Sequence, residues 1–271
     1  MNDPTFAEIE SWIAEAQAGT LTWSQVAERL LQMEHPEGSE HHPDRDRERR
    51  CGFGEVIFGE GKSATAIASI ANRLLDQGQR EVLVTRISKP LLRPIAAQFP
   101  YSRYDSLGRT LRLSNASIGA IVRTGFPPAP PSSALPPKAV YVVTAGSTDL
   151  PVAREAFETL GWMGVDAGLL TDVGVAGPYR LLPHLPALRA ACALVVVAGM
   201  EGALASVVGG LVPAPIIAVP TSVGYGFNLS GITTLLSMMS SCAAGVTTVN
   251  IDAGFKGGYV AGLIAHRLTI A

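Results

Sequence analysis

Five runs of apolar, β-rich residues recur through the second half of the chain, at residues 139–143, 165–170, 193–197, 216–219 and 247–251, and a helix-compatible stretch follows each. A strand that is apolar on both faces has to be covered on both, and strand–helix alternation supplies that cover. The pattern therefore predicts an α/β fold, a doubly wound parallel sheet over residues 138–271. Ligands of such sheets sit outside the carboxyl ends of the strands. That rule selects Ser147 and Asp149 after the first run, Asp172 after the second and Glu201 after the third. Ser222 and Tyr225 follow the fourth, and Asp252 the fifth.

The first half reads differently. Pro127, Pro128, Pro130, Pro131, Pro136 and Pro137 crowd residues 126–137, which can form neither a helix nor a central strand and read as a semi-rigid linker. Before it, residues 1–125 open with two helix-like stripes, Trp12, Ile13, Ala16 and then Val26, Leu30, Leu31. A charged run at 44–50 follows, then strand-like residues 55–58, helix-like 64–75, strand-like 81–84 and a further segment at 89–98. This predicts a smaller α+β domain with a helical leader. Gly59-Glu-Gly-Lys-Ser63 lacks the full spacing of a phosphate loop, so ATP hydrolysis is not indicated.

A chain of 271 residues, 47% hydrophobic, is long enough to bury a substantial core. Twenty-one basic residues against twenty-three acidic give a net charge of −2, which recruits neither nucleic acid nor an anionic membrane. Cys51, Cys192 and Cys242 are too widely spaced for a zinc ligand set and fit a reducing compartment. Cys192 lies in an apolar run and reads as core. His35, His41 and His42 read as solvated; His184 and His266 are isolated. The amino terminus lacks the basic start and apolar stretch of a signal peptide, and no segment approaches a membrane span, so the expected location is cytoplasmic.

Three loops and one thiol could carry chemistry. Gly146, Ser147, Thr148 and Asp149 join a strand to a helix; their amides could hold a phosphate, or their side chains could simply cap the helix. Gly199, Met200, Glu201 and Gly202 place a carboxylate among small residues directly after a buried strand. Partial burial there would suit Glu201 to proton transfer; an exposed loop acid is the alternative. Ser222 and Tyr225 offer a hydroxyl and a flat ring in one Gly-rich loop, as a substrate cradle or an anchored turn. Cys242 lies between a helix-like segment (235–241) and a strand pattern (246–251), either as a thiolate nucleophile or as a small buried hydrophobe.

Five ordered motifs, TAGSTDLPVAREA (144–156), TDVGVAGPYRLL (171–182), VAGMEGALASVVGGLV (197–212), PIIAVPTSVGYG (215–226) and SSCAAGVTTVNID (240–252), resemble the pyridinium-3,5-biscarboxylic acid mononucleotide synthase family (LarB), which opens assembly of the nickel-pincer nucleotide of lactate racemase. RCGFGEVIFGEGKS (50–63) extends the resemblance into the first half. The second domain is also similar to phosphoribosylaminoimidazole carboxylases (PurE-like). The resemblance implies carboxylation of the pyridinium ring of nicotinic acid adenine dinucleotide, with hydrolysis of its phosphoanhydride to release AMP. It implies CO2 or bicarbonate as co-substrate, Mg2+, and a homo-oligomer, possibly an octamer. Cys242 would be the covalent nucleophile and Glu201 the base, with Asp149 and Asp172 assisting proton transfer or positioning a magnesium-bound diphosphate. Three positions depart from the family pattern: Tyr179 stands for a common His, Ala253 for Asn and Gly54 for Pro.

Overall fold

The computed structural model describes residues 6–34, 44, 47–116 and 139–270. The proline-rich segment at 126–137 and His35, His41 and His42 lie outside them. The chain divides into two compact units, Met1–Asp44 and Arg45–Ala271. In the first, helices α1 (Phe6–Gln17) and α2 (Trp23–Glu34) bury Ala16, Leu21 and Val26 against Trp12, over whose ring the Arg29 guanidinium lies at 5.4 Å. The expected helical leader is present.

The second unit contains two sheets. After the short helix α3 (Arg47–Cys51), strand β1 (Val56–Phe58), helix α4 (Ala64–Asp76) and strand β2 (Val82–Thr85) form a parallel crossover. Ser63 caps α4 by accepting the Ala66 N–H at 3.1 Å, so the Gly59–Ser63 turn ends in a helix cap. Helix α5 (Leu92–Ala96) leads to strands β3 (Tyr101–Asp105) and β4 (Thr110–Ser114), an antiparallel hairpin that completes the sheet in the order β1-β2-β4-β3. The sequence reading did not anticipate this hairpin.

The larger sheet comprises β5 (Val140–Thr144), β6 (Ala167–Leu170), β7 (Ala193–Ala198), β8 (Ile216–Pro220) and β9 (Val246–Thr248), all parallel, in the order β6-β5-β7-β8-β9. Helices α6 (Leu150–Trp162), α7 (Leu185–Ala190), α8 (Ala203–Gly209), α9 (Ile232–Met239) and α10 (Gly254–Ile270) connect and cover the strands. This is the expected doubly wound sheet. Strands β7 and β8 are buried at every position, which is why their sequences read as unbroken apolar runs rather than as alternation. The fifth strand is shorter than its apolar run, ending at Thr248 where the chain turns toward Asp252.

Two packing features fix the site. The first is a glycine row on α10. A Cβ added at Gly254 would lie 2.1 Å from the Val152 carbonyl oxygen, at Gly258 2.5 Å from that of Ala156, and at Gly262 2.4 Å from the Met163 sulfur. Spaced four apart, the three glycines share one helical face, and α10 lies almost directly on α6. The second is a charged seam between α6 and the smaller sheet. Arg112 on β4, fully buried, makes a two-pronged ion pair with Glu81 and donates to the Gly161 carbonyl at 3.3 Å. Arg103 pairs with the buried Glu158 at 2.7 Å, and Arg154 pairs with Asp105. Burial raises the Asp105 pKa, but hydrogen bonds from Arg154 and the Gly108 N–H outweigh it and hold the carboxyl below its usual range.

Candidate active site

The strand order of the larger sheet reverses between β5 and β7, because the chain leaves β5 toward β6 on one side and returns to β7 on the other. That reversal leaves a crevice between the two carboxyl ends. The structure has a cavity of about 250 Å³ there, walled by Gly146, Thr148 and Asp149 after β5, by Gly199 to Gly202 after β7, and by Arg180 and Val223.

Asp149 is the buried carboxylate of this cavity, 3% exposed. It accepts the Gly146 N–H at 2.9 Å and the Thr221 hydroxyl at 2.8 Å. Burial pushes its pKa up; the hydrogen bonds from Gly146, Thr221 and Gly199 oppose that push, and the nearby negative charge of Asp252 adds to it. The net direction is upward. Asp149 therefore closes the turn as a cap, as the second reading of this loop expects, and its buried carboxylate also lines the cavity.

Glu201 lines the same cavity but is exposed rather than half-buried. The physical reason is the left-handed backbone of Met200 (φ 53°) and Gly202 (φ 68°), which turns the loop outward at the strand end. Thr234 closes that turn by donating to the Met200 carbonyl. Gly199 has no room for a side chain, since a Cβ would meet the Val223 carbonyl oxygen at 2.3 Å. Asp172 is exposed and reaches the cavity only through Arg180, which it pairs at 2.7 Å. Ser147 is exposed and does not line this cavity.

A second cavity, of about 230 Å³, shares Thr148 and Val223 with the first and contains Ser222 and Asp252. Asp252 accepts the Ser222 N–H at 2.8 Å. The smaller sheet contributes Arg86 and Arg109 to this cavity, and α6 contributes Glu155. These three residues carried no signal in the sequence, because they come together only when the two sheets pack. Burial raises the Glu155 pKa, and Arg86, its 3.5 Å ion partner, opposes the rise.

Cys242 and Tyr225 are not brought to either cavity within one chain. Both are exposed. The Ile216 N–H donates to the Gly245 carbonyl and Ile216 pairs with Val246, so the segment just after Cys242 lies level with the first residue of β8. The cavities lie beyond its last residue. At about 3.3 Å per residue, that is roughly 15 Å of separation along the strand. Cys192 is half-buried and donates to the Ala139 carbonyl at 3.4 Å. Among the described residues no group of three or more His, Cys, Asp or Glu could hold a metal ion, and no helix is long and apolar enough to cross a membrane. With Asp149 bonded to Gly146 and Thr221, Asp172 to Arg180, and Asp252 to Ser222, the residues present do not form a protein-built magnesium cage.

Comparison with known proteins gives two domain matches. Residues 39–115 match the LarB/PurE-like N-terminal domain, and residues 139–270 match the AIR carboxylase domain. The chain is also 38% identical over 229 residues, 82% of each chain, to Uncharacterized protein MJ0165 of Methanocaldococcus jannaschii. These domains support carboxylase-type chemistry in nucleotide metabolism, and the chain belongs to the LarB-like family, in which a LarB/PurE-like N-terminal domain precedes an AIR carboxylase domain.

Proposed function

We propose that the protein carboxylates the pyridinium ring of nicotinic acid adenine dinucleotide and hydrolyses its phosphoanhydride, giving pyridinium-3,5-biscarboxylic acid mononucleotide and AMP. The observation that carries this reading is the buried carboxylate of Asp149 in a crevice at the strand-order reversal of an AIR carboxylase domain. An electron-poor pyridinium does not attack CO2. Addition of the Cys242 thiolate para to the ring nitrogen forms a C–S bond and moves an electron pair onto nitrogen, leaving an enamine. Its carbon next but one to nitrogen forms the new C–C bond to CO2, supplied as such or from bicarbonate. Loss of the ring proton from that carbon and departure of the thiolate then restore aromaticity. Glu201, exposed at the cavity, is the expected base for that proton, and Asp149, buried in the wall of the same cavity, is the second carboxylate within the site. No step is routed through magnesium.

In this reading Cys242 arrives from a neighbouring copy of the chain. Its loop follows an exposed apolar row, Phe227, Leu229, Ile232, Leu236 and Met239, of the kind that closed homo-oligomers cover. A count of eight rests on the family resemblance alone. The test is incubation with the dinucleotide and labelled bicarbonate, read by mass spectrometry for a pyridine product gaining one carboxyl group, for AMP, and for a thiol adduct on Cys242. Absence of both small products rejects the proposal. The distance of Cys242 from the cavity favours a second reading, an aminoimidazole ribonucleotide carboxylase that needs no thiol. Full turnover of that substrate by Cys242→Ala would select it.

A further inference from the structure

The cavity between the smaller sheet and the larger one is not used by the ring chemistry, yet its rim holds unusual backbone. Arg86 (φ 53°), Arg109 (φ 51°) and Asp252 (φ 56°) are three of the seven non-glycine residues with left-handed backbone among the described residues, and all three line it. Left-handed backbone is unfavourable for residues with a Cβ, and strain of this kind persists where surrounding structure enforces it. Here the enforcement is visible. The Ile87 N–H donates to the Arg109 carbonyl at 2.9 Å, and the Arg109 guanidinium donates to the carbonyls of Ile87 and Arg86 at 3.4 and 3.3 Å. The loop after β2 and the β3–β4 turn are thereby laced together, with both guanidinium groups at one cavity.

The charges are not equivalent. Arg86 is committed to Glu155 and to the Asp252 carbonyl, and Glu155 also accepts the Phe255 N–H at 3.1 Å. One oxygen of Asp252 takes the Ser222 N–H. Arg109 is exposed and, among the described residues, pairs with no carboxylate. The four charged groups of the cavity, Arg86, Arg109, Glu155 and Asp252, sum to zero, and within that balance it offers a guanidinium without an ion partner, the hydroxyls of Thr148 and Ser222, and a remaining Asp252 oxygen able to accept from a sugar hydroxyl. We propose that this second cavity is a nucleotide subsite in which Arg109 holds a phosphate and Asp252 a ribose hydroxyl. Resting on the function proposed above, it deepens it: the shared wall of Thr148 and Val223 lets one dinucleotide occupy both cavities, with its adenylate half against the smaller domain. That gives the first domain a role in binding the group that leaves as AMP.

Calorimetric titration of the full chain with AMP and with adenosine tests this without turnover. AMP binds more tightly than adenosine by roughly ten- to a hundredfold, the worth of a charge-assisted hydrogen bond. Arg109→Asn, a side chain that tolerates left-handed backbone, abolishes most of that preference, and Arg109→Lys retains part of it. Equal binding of AMP and adenosine to the wild type, or an undiminished preference in Arg109→Asn, overturns the proposal. Carboxylated product with an unchanged AMP preference sinks the subsite alone. An Arg109-dependent AMP preference without any carboxylated product leaves the subsite standing and sinks the reaction.

Discussion

Replacing Glu81 with Ala strips a fully buried guanidinium of its counter-charge. Arg112 then keeps only the 3.3 Å bond to the Gly161 carbonyl, with one terminal nitrogen already lacking a partner. Breaking a buried pair from one side costs about 3–5 kcal/mol, because the remaining charge stays desolvated. For a folded unit of this size each kcal/mol moves the melting temperature by about 2–4 °C, so Glu81→Ala is expected to melt about 6–20 °C lower. The backbone carbonyl of Glu81, which accepts from Trp162 and Gln79, is untouched by the substitution, so the loss reports on the charge pair. Scanning calorimetry gives the shift. The double variant Glu81→Leu with Arg112→Met, which removes both charges and fills the space with hydrocarbon, should recover most of the loss. Because the pair holds in place the Arg112 guanidinium that bonds β4 to the Gly161 carbonyl of α6, the single variant should also split one transition into two if the sheets uncouple. A loss below about 1 kcal/mol, the worth of an exposed pair, would refute the reasoning.

Four further outcomes follow from the site and from the exposed apolar row. Asp149→Asn should lower kcat by about 10²–10⁴-fold. Since its carboxyl is raised, the folded state keeps a proton that the unfolded chain has released between the ordinary and the raised value, and wild-type stability falls as pH climbs through that window. The variant should show a flatter dependence of melting temperature on pH there; an identical slope argues against a buried, titrating Asp149. Gly199→Ala should lose about 1–3 kcal/mol in urea unfolding, because its Cβ meets the Val223 carbonyl oxygen at 2.3 Å, and an unchanged midpoint contradicts the crowding. Light scattering should find the wild type as an oligomer and Leu236→Glu as a smaller species, whereas a wild-type monomer removes the assembly.

The larger sheet was legible because its strands are buried on both faces, so burial wrote itself into composition as apolar runs. The hairpin was not. Tyr101-Ser-Arg-Tyr-Asp105 and Thr110-Leu-Arg-Leu-Ser114 carry charges that only a folded partner neutralises, and a buried Arg112 reads from sequence as an exposed one. Asp105 and Gly108, whose N–H donates to the Asp105 carboxylate, were the available turn signal. At the site, the strand-end rule found Asp149, Glu201, Ser222 and Asp252 because it depends on chain order alone. It could not find Arg86, Arg109 or Glu155, which depend on how two sheets meet. Nor could it separate a thiol at the far end of the edge strand from one beside the crevice. One departure from the family pattern has a local correlate: a Cβ at Gly54 would meet the Gln79 side chain, which instead bonds the Glu55 backbone on both its N–H and its carbonyl.

The glycine face of α10 has a mechanical implication. Where Gly254 and Gly258 meet the Val152 and Ala156 carbonyls no side-chain rotamer can absorb a displacement, so the first turns of α10 move with α6. Glu155 on α6 is bonded to the first turn of α10, and the residues leading into α6 line both cavities. One flank of the crevice is therefore stiff, and whatever accommodation a bound molecule demands is left to the exposed stretch beyond β8, around Gly224 to Phe227. Engineering a wider or narrower crevice would succeed by editing that stretch, while any bulk added along the interlocked pair would be felt at its floor.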